Sequence, residues 1–207
     1  LNKELAEYCA KTNKHLYVMY GQTEASPRIS YLPHEKSLKK IGSIGIPIPN
    51  GNLSLVDKNG QIIYENEVEG ELVYKGSNVC LGYASKISDL LKEDENDGVL
   101  YTGDIAYRDR DNYFYISGRK KRFIKLFGNR INLDDVERSL NDQICECVCV
   151  GNDNLLLVYI VEEKKMNKVK VFLIDKFKLN SKFIKLKIIN EIPKNSFGKT
   201  IYSTLNI

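Results

Sequence analysis

This sequence predicts a mixed α/β fold of the α+β kind, with a glycine-punctuated β region followed by a small basic α+β unit. Three observations carry that expectation. Short apolar runs separated by Gly, Asn and Asp turn signals fill the middle of the chain. A helix-capping pattern and several apolar strands fill the remainder. The charge also changes sign between them: residues 1–118 hold 13 Lys and Arg against 17 Asp and Glu, whereas residues 119–207 hold 18 against 10. The boundary is therefore expected near residues 119–122, with domains at 1–118 and 119–207. No Gly/Ser-rich linker lies there, so the junction is expected to be a short charged hinge.

In order along the chain, Lys3 to Lys11 predicts a helix and Leu16 to Tyr20 a strand. "LSLVD" (53–57), a "KNG" turn, "QIIYE" (61–65) and "GELVYKG" (70–76) predict strands. Ser88 to Glu93 predicts a helix, and "DIAYRD" and "NYFYIS" a hairpin turning at Arg110 and Asp111. After "GRKKR" a helix is expected from Leu133 to Asn141, capped by Asn132 with Asp134 and Asp135 in its positive first turn. Strands are expected near 145–150, 154–161 and 183–189. No internal repeat or low-complexity segment is evident.

A 43% hydrophobic content is that of a globular protein with a sizeable core. The longest strongly apolar run, Leu155 to Val161, is far short of the roughly 20 residues that span a bilayer, and no signal-peptide pattern opens the chain. The expected location is cytoplasmic. Opening on Leu rather than Met, directly in a helix-then-strand pattern, suggests a piece of a longer protein. Five cysteines, an odd number, favour reduced thiols. Cys145, Cys147 and Cys149 alternate, so a strand would hold them on one face about 7 Å apart, too far for one tetrahedral zinc. A buried strand face is expected instead, and His15 and His34 are expected in surface or capping roles.

"PKNSFGKT" (193–200) ends like a phosphate-binding P-loop but fails as one. Its first position is Pro193 rather than Gly, and too few residues follow Thr200 for the helix whose N-terminus would cradle phosphates.

Four stretches in order, "YGQTE" (20–24), "GELVYKGSNVCLGY" (70–83), "YTGD" through "GRKKRFIKLFGNRINLDDVE" (101–137) and "PKNSFGKT", resemble the adenylate-forming superfamily of acyl-CoA synthetases, peptide-synthetase adenylation domains and luciferases. Asp104 and Arg119 stand fifteen residues apart as in that family. The resemblance covers nearly the whole chain and implies the C-terminal part of the large domain followed by a small mobile lid. It also implies chemistry: ATP activates a carboxylate as an acyl-adenylate, and a thiol then displaces AMP.

By that resemblance, "YGQTE" lines the AMP site. Tyr20 would stack near adenine, Gly21 admit the backbone, Gln22 belong to the same lining, Thr23 bond the α-phosphate and Glu24 help hold Mg²⁺. Asp104 would accept from the two ribose hydroxyls, Arg119 would contact the ribose, and Ile116 would lie beside the nucleoside, though a core role for Ile116 is about equally expected. Lys121 matches the hinge. Gly128 matches the loop glycine that leaves room for a pantetheine arm, and Lys125 and Arg130 share that loop. In "RKKR" only Lys121 carries a positional argument; the rest reads as a solvated patch. Lys199 would bridge the attacking carboxylate and the α-phosphate.

The family's Ser/Thr/Gly-rich phosphate loop and most of its acyl pocket lie upstream of "YGQTE", so these 207 residues are not expected to complete the reaction. The implied cofactors are ATP/AMP, Mg²⁺ and coenzyme A, and the implied partner is a small carboxylic acid. The alternative acceptor is a carrier protein's phosphopantetheine, with an amino acid as the acid. A second alternative is a non-catalytic basic module, with Phe172, Phe177 and Phe183 as a base-stacking platform, although their apolar neighbours point to core. Nucleic acid is not an expected partner. A third alternative, an inactive relative, is disfavoured by the intact Glu24, Asp104, Arg119 and Lys199.

Overall fold

The computed structural model describes residues 3–205. The chain divides into two compact units, one ending at Lys120 and the other beginning at Lys121.

The first unit carries helix α1 (Lys3–Lys11) and strands β1 (Val18–Tyr20), β2 (Ser30–Leu32), β3 (Ser43–Pro47), β4 (Asn52–Val56), β5 (Gly70–Lys75), β6 (Val99–Arg108) and β7 (Phe114–Arg119). They form a seven-stranded sheet in the order β1-β2-β3-β7-β6-β5-β4, antiparallel at every pairing. The sheet turns at β3. The C-terminal half of β3 pairs with β2 (Tyr31 opposite Ile46), and its N-terminal half pairs with β7 across a register shift between Ser43 and Gly45.

Gly45 is required at that turn. Its φ is +86°, and a Cβ there would lie 1.8 Å from the Tyr31 carbonyl oxygen. Two buried serines satisfy the disturbed ladder: Ser30 Oγ donates to the Ile44 carbonyl at 2.7 Å and Ser43 Oγ to that of Phe114 at 2.8 Å. Beneath the sheet, Ala25, Ile29, Leu53, Leu55, Leu72, Tyr74, Ala106 and Phe114 form the core.

Two predicted elements differ here. "QIIYE" is not a strand but a single bridge between Val56 and Ile62. The Asp57 carboxylate takes the Asn59 and Gln61 N–H groups at 2.8 Å each, which winds the chain into a local turn instead of a ladder. The Ser88–Glu93 helix is a 3-10 turn at Ile87–Leu91. Ile87, Leu90 and Leu91 are all largely exposed, so no apolar face is buried to extend it.

The second unit holds a hairpin of β8 (Phe123–Leu126) and β9 (Asn129–Asn132), helix α2 (Leu133–Gln143), strands β10 (Cys147–Asn152) and β11 (Leu155–Ile160), helix α3 (Met166–Phe177) and strand β12 (Ile184–Ile188). Asn132 caps α2 by accepting from the Asp134 N–H at 3.0 Å. β11 is central, antiparallel to β10 and parallel to β12. A parallel pair needs a long crossover, and α3 supplies it.

Leu156, Val158 and Ile160 join Val136, Leu140, Val169 and Leu173 in one core, while Leu157 and Tyr159 pack with Val150, Tyr202 and Leu205 on the opposite face. That two-sided burial explains the continuous apolar run of β11. Cys145, Cys147 and Cys149 all join the first of these cores. The strand begins only at Cys147, because the Ile144 and Cys145 N–H groups still bond the last turn of α2 at Leu140. Among the described residues no helix is long and apolar enough to cross a membrane.

Candidate functional site

In the first unit the site begins with a bulge. Opposite β5 the pairing jumps from Glu71–Ile105 to Val73–Tyr101, leaving Thr102, Gly103 and Asp104 against the lone Leu72. Gly103 supplies the positive φ of +71°, and Thr102 Oγ1 replaces a ladder bond by donating to the Leu72 carbonyl at 2.8 Å. Such a bulge re-aims a side chain. Here it turns the Asp104 carboxylate inward, 3% exposed.

Asp104 is paired in register with Arg119 across the β6–β7 hairpin, and Arg119 Nε lies 2.7 Å from Asp104 Oδ1. The fifteen-residue spacing is thus that of directly opposed hairpin neighbours. The other carboxylate oxygen, Oδ2, accepts from Tyr20 Oη at 2.5 Å and from Gln22 Nε2 at 3.2 Å. Gln22 Nε2 also donates to the Thr102 carbonyl at 2.9 Å. Burial first, and then the hydrogen bond to Asp104, raises the Tyr20 hydroxyl far above the ordinary tyrosine range. It therefore remains a proton donor at neutral pH.

A carboxylate offers about four lone-pair sites, and three are taken. The open one is on Oδ1, beside an Arg119 side chain that is 60% exposed. The group buried beneath is fixed, and the group facing solvent can be exchanged.

Thr23, Glu24 and Ala25 form a 3-10 turn just after β1. Gly21 is required by the turn itself, since a Cβ there would lie 1.6 Å from the Pro27 carbonyl oxygen. The segment 76–83 laces this turn down: Asn78 Nδ2 donates to the Ala25 and Arg28 carbonyls, the Cys80 N–H donates to the Glu24 carbonyl at 2.8 Å, and Tyr83 Oη donates to Glu24 Oε1. That last bond, above all, holds the Glu24 carboxyl below its ordinary range. Glu24 is therefore ionised and partly exposed, a donor suited to a hard cation that keeps most of its waters. Among the described residues no cluster of three metal-ligating side chains exists. Ile116, opposite Ala106 in the ladder, packs against the core of this unit.

In the second unit, Lys121 is exposed in the entering 3-10 turn. Gly128 (φ +84°) and Phe127 (φ +49°) make the tip of the β8–β9 hairpin, with open space where a Gly128 side chain would stand. Lys125 anchors the hairpin through its N–H to Asp153 Oδ1 at 2.7 Å, and the Arg130 guanidinium lies 4.0 Å from the Phe123 ring centroid.

Lys199 is exposed on a closed loop. Asn195 Oδ1 accepts from the Phe197 and Lys199 N–H groups at 3.0 and 2.9 Å, and Ile201 N–H closes the loop on the Pro193 carbonyl at 2.9 Å. Gly198 supplies its left-handed residue at φ +76°.

The structure thus brings together Tyr20, Gln22, Asp104 and Arg119, with Thr23 and Glu24 on the adjoining turn. It places Lys125, Gly128 and Arg130 on one hairpin and Lys199 on another loop. Sequence reasoning missed Tyr83 and Asn78 as supports of the turn, and it read Arg122 as part of a solvated patch. Arg122 is in fact mostly buried, 2.6 Å from Asp134 and 2.5 Å from Glu137. Only an apolar neighbourhood, Phe123 and Ile124, marked it in the sequence. Phe172, Phe177 and Phe183 pack against the core, which removes the platform that base stacking would need.

Comparison with known proteins agrees with this architecture. The family of AMP-binding enzymes matches residues 1–84. The chain is 36% identical over 138 residues to the 2-succinylbenzoate--CoA ligase of Bacillus cytotoxicus, covering 67% of this chain and 28% of that protein. It is 38% identical over 126 residues to the long-chain-fatty-acid--CoA ligase of Salmonella typhimurium, covering 61% of this chain and 22% of that one. The solved O-succinylbenzoate coenzyme A synthetase of Bacillus subtilis, in complex with AMP, superposes with a TM-score of 0.74 at 23% identity, covering 100% of this chain and 44% of that one. The fold is that of AMP-binding enzymes, and the chain spans less than half the length of these relatives. It belongs to the adenylate-forming superfamily.

Proposed function

We propose that this chain is the C-terminal portion of an AMP-forming acid–thiol ligase that makes an acyl-adenylate and then a thioester, with coenzyme A as the acceptor. The observation that carries this reading is the Asp104 cluster. A carboxylate this deeply buried, held on one oxygen by Tyr20 and Gln22 and paired on the other with an exchangeable arginine, suits a ribose diol. The diol would take the open lone pair and the place of the Arg119 Nε, and Arg119 would then contact the sugar from outside.

Thr23 lies beside that point for the α-phosphate, and Glu24 supplies the carboxylate for Mg²⁺, which would neutralise phosphate charge. Gly128 leaves an open hairpin tip for a pantetheine arm, with Lys125 and Arg130 as its neighbouring cations. Lys121 is the hinge about which the basic unit turns between the two half-reactions.

In the first step a carboxylate oxygen of the acid bonds to the α-phosphorus and pyrophosphate leaves. In the second, a thiolate bonds to the acyl carbon and AMP leaves. Negative charge builds at the α-phosphoryl group in both. Lys199, an exposed ammonium on a rigid loop, is suited to meet it in the first step. Loss of one such contact costs about 3–4 kcal/mol of barrier.

Pyrophosphate exchange on the full-length enzyme, with aromatic, fatty and amino acids as substrates, tests this. Exchange is expected with one acid class, and Lys199→Ala is expected to abolish it while thiolysis of a supplied acyl-adenylate survives. Exchange with amino acids, and transfer to a carrier protein rather than coenzyme A, would move the reading to peptide-synthetase chemistry. Equal loss of both half-reactions in Lys199→Ala would remove the role given to that lysine.

A further inference from the structure

The cation of "RKKR" that is drawn into the protein is the fourth. Lys120 and Lys121 are exposed, whereas the Arg122 side chain is 13% exposed. Its guanidinium meets three elements of the second unit, α2, β10 and the 3-10 turn at Tyr202–Thr204. Nε lies 2.6 Å from Asp134 Oδ1 at the start of α2, Nη2 2.5 Å from Glu137 Oε1 on the next turn, and Nη1 donates to the Cys149 carbonyl of β10 at 2.7 Å. Its Cζ stands 4.1 Å from the ring centroid of Tyr202. Glu137 completes the circuit: Oε1 also accepts from the Cys149 N–H at 2.7 Å, and Oε2 accepts from Tyr202 Oη at 2.9 Å.

Tyr202 follows Lys199 by three residues. The loop between them and Pro193 is closed on itself, so its placement in the unit depends on its anchors. One is the Tyr202 contact. Others are the buried Ile192 just before the loop and Lys194 to Glu146 at 2.7 Å, with both side chains about half exposed, and a pair exposed to that degree is a weak restraint. A desolvated ionic cluster is a poor device for stability alone, since well-packed apolar residues do as well. It does fix direction, because each bond is short and angular.

We propose that Arg122, Glu137 and Tyr202 are positioning residues that hold the Lys199 loop in register with the entry to the second unit, so that the ammonium arrives at one place. The inference rests on the role proposed for Lys199. A catalytic group displaced by about 1 Å loses on the order of 100-fold in rate, so a loosened loop should weaken the step that uses Lys199 and spare the other.

The test compares full-length wild type with Tyr202→Phe, Arg122→Lys and Lys199→Ala, measuring pyrophosphate exchange and thiolysis of supplied acyl-adenylate separately. Tyr202→Phe keeps the ring over Arg122 and removes one hydrogen bond. The expected result is a fall of about tenfold in the kcat of adenylation, with the KM for ATP and the thiolysis rate unchanged and only the small drop in thermal midpoint that one lost hydrogen bond gives. Arg122→Lys keeps the charge but not the fork, and it should fall at least as far in the same half-reaction. Unchanged adenylation in Tyr202→Phe, beside its loss in Lys199→Ala, would overturn the inference and leave the function standing. Intact adenylation in Lys199→Ala would overturn both. A parallel fall of both half-reactions with the thermal midpoint would make the cluster structural and overturn the inference alone.

Discussion

Tyr20 and Asp104, 84 residues apart in sequence, are joined by a 2.5 Å hydrogen bond from the tyrosine hydroxyl to Oδ2. Four interstrand steps lie between β1 and β6 in the sheet, about 19 Å if it were flat. A tyrosine cannot span that distance. The turn of the sheet at β3 closes it, so the site exists only because the sheet is bent, and the bend and the site should fail together.

Replacing Tyr20 by Phe removes one donor from a carboxylate that is 3% exposed. Gln22 and Arg119 remain, so the charge is not orphaned. A hydrogen bond to an ionised group is worth about 1.5–3 kcal/mol, and a loss in that range is expected from urea unfolding of the variant. A change below about 0.5 kcal/mol, the range of ordinary surface substitutions, would mean that the bond does not tie β1 to β6.

Gly45→Ala tests the bend. The new methyl would meet the Tyr31 carbonyl at 1.8 Å while adopting a φ of +86°. Gly60 has a similar φ of +80° but open space around it. Gly60→Ala should cost only the conformational strain, about 1–2 kcal/mol. Gly45→Ala should cost clearly more and should also abolish nucleotide binding measured by calorimetry. Equal thermal shifts in the two variants would show that β3 tolerates the insertion.

Much of this was legible because local chemistry and global fold agree. The Asn132 cap, the apolar run of β11 and the hairpin spacing of Asp104 and Arg119 each follow from short-range rules. Helix α3 was not foreseen, although Met166, Val169, Leu173 and Phe177 share a face. Its ends carry no usual signal: Lys165 stands at the N-terminus without a side-chain cap, and Lys178 at the C-terminus takes a left-handed φ of +55° where glycine is customary. Strands β2 and β3 were missed because each is short and takes its pairing from distant segments. Arg122 was misread because a run of four cations looks solvated, and the one local mark that it turns inward is the apolar pair Phe123 and Ile124 that follows it.

The link between Tyr83 and Glu24 has a pH signature. The tyrosine hydroxyl, chiefly, holds the Glu24 carboxyl below its ordinary value. A carboxyl depressed in the folded state stabilises it above the ordinary value near 4.5, and that contribution is lost as pH falls through the depressed one. In Tyr83→Phe the Glu24 titration, followed by carboxyl carbon chemical shift, should move upward toward the ordinary value. An unmoved titration would mean that Tyr83 does not support the proposed cation ligand.

The second unit should respond at the other end of the pH scale, through Tyr202. Burial first, then the charge of Glu137, pushes its hydroxyl up to about 12 from an ordinary 10. The unfolded chain therefore loses this proton before the folded one does. The resulting stabilisation is complete below about pH 10 and is lost as pH rises through about 12. Tyr202→Phe has no proton to lose, while the lysines that also titrate in this range are common to both proteins. The difference in thermal midpoint between wild type and Tyr202→Phe should hold constant from pH 7 to pH 9, then shrink as the pH approaches 12. A difference that is flat to pH 12 would mean that Tyr202 ionises in the folded state at its ordinary value and that its hydroxyl is not held by Glu137.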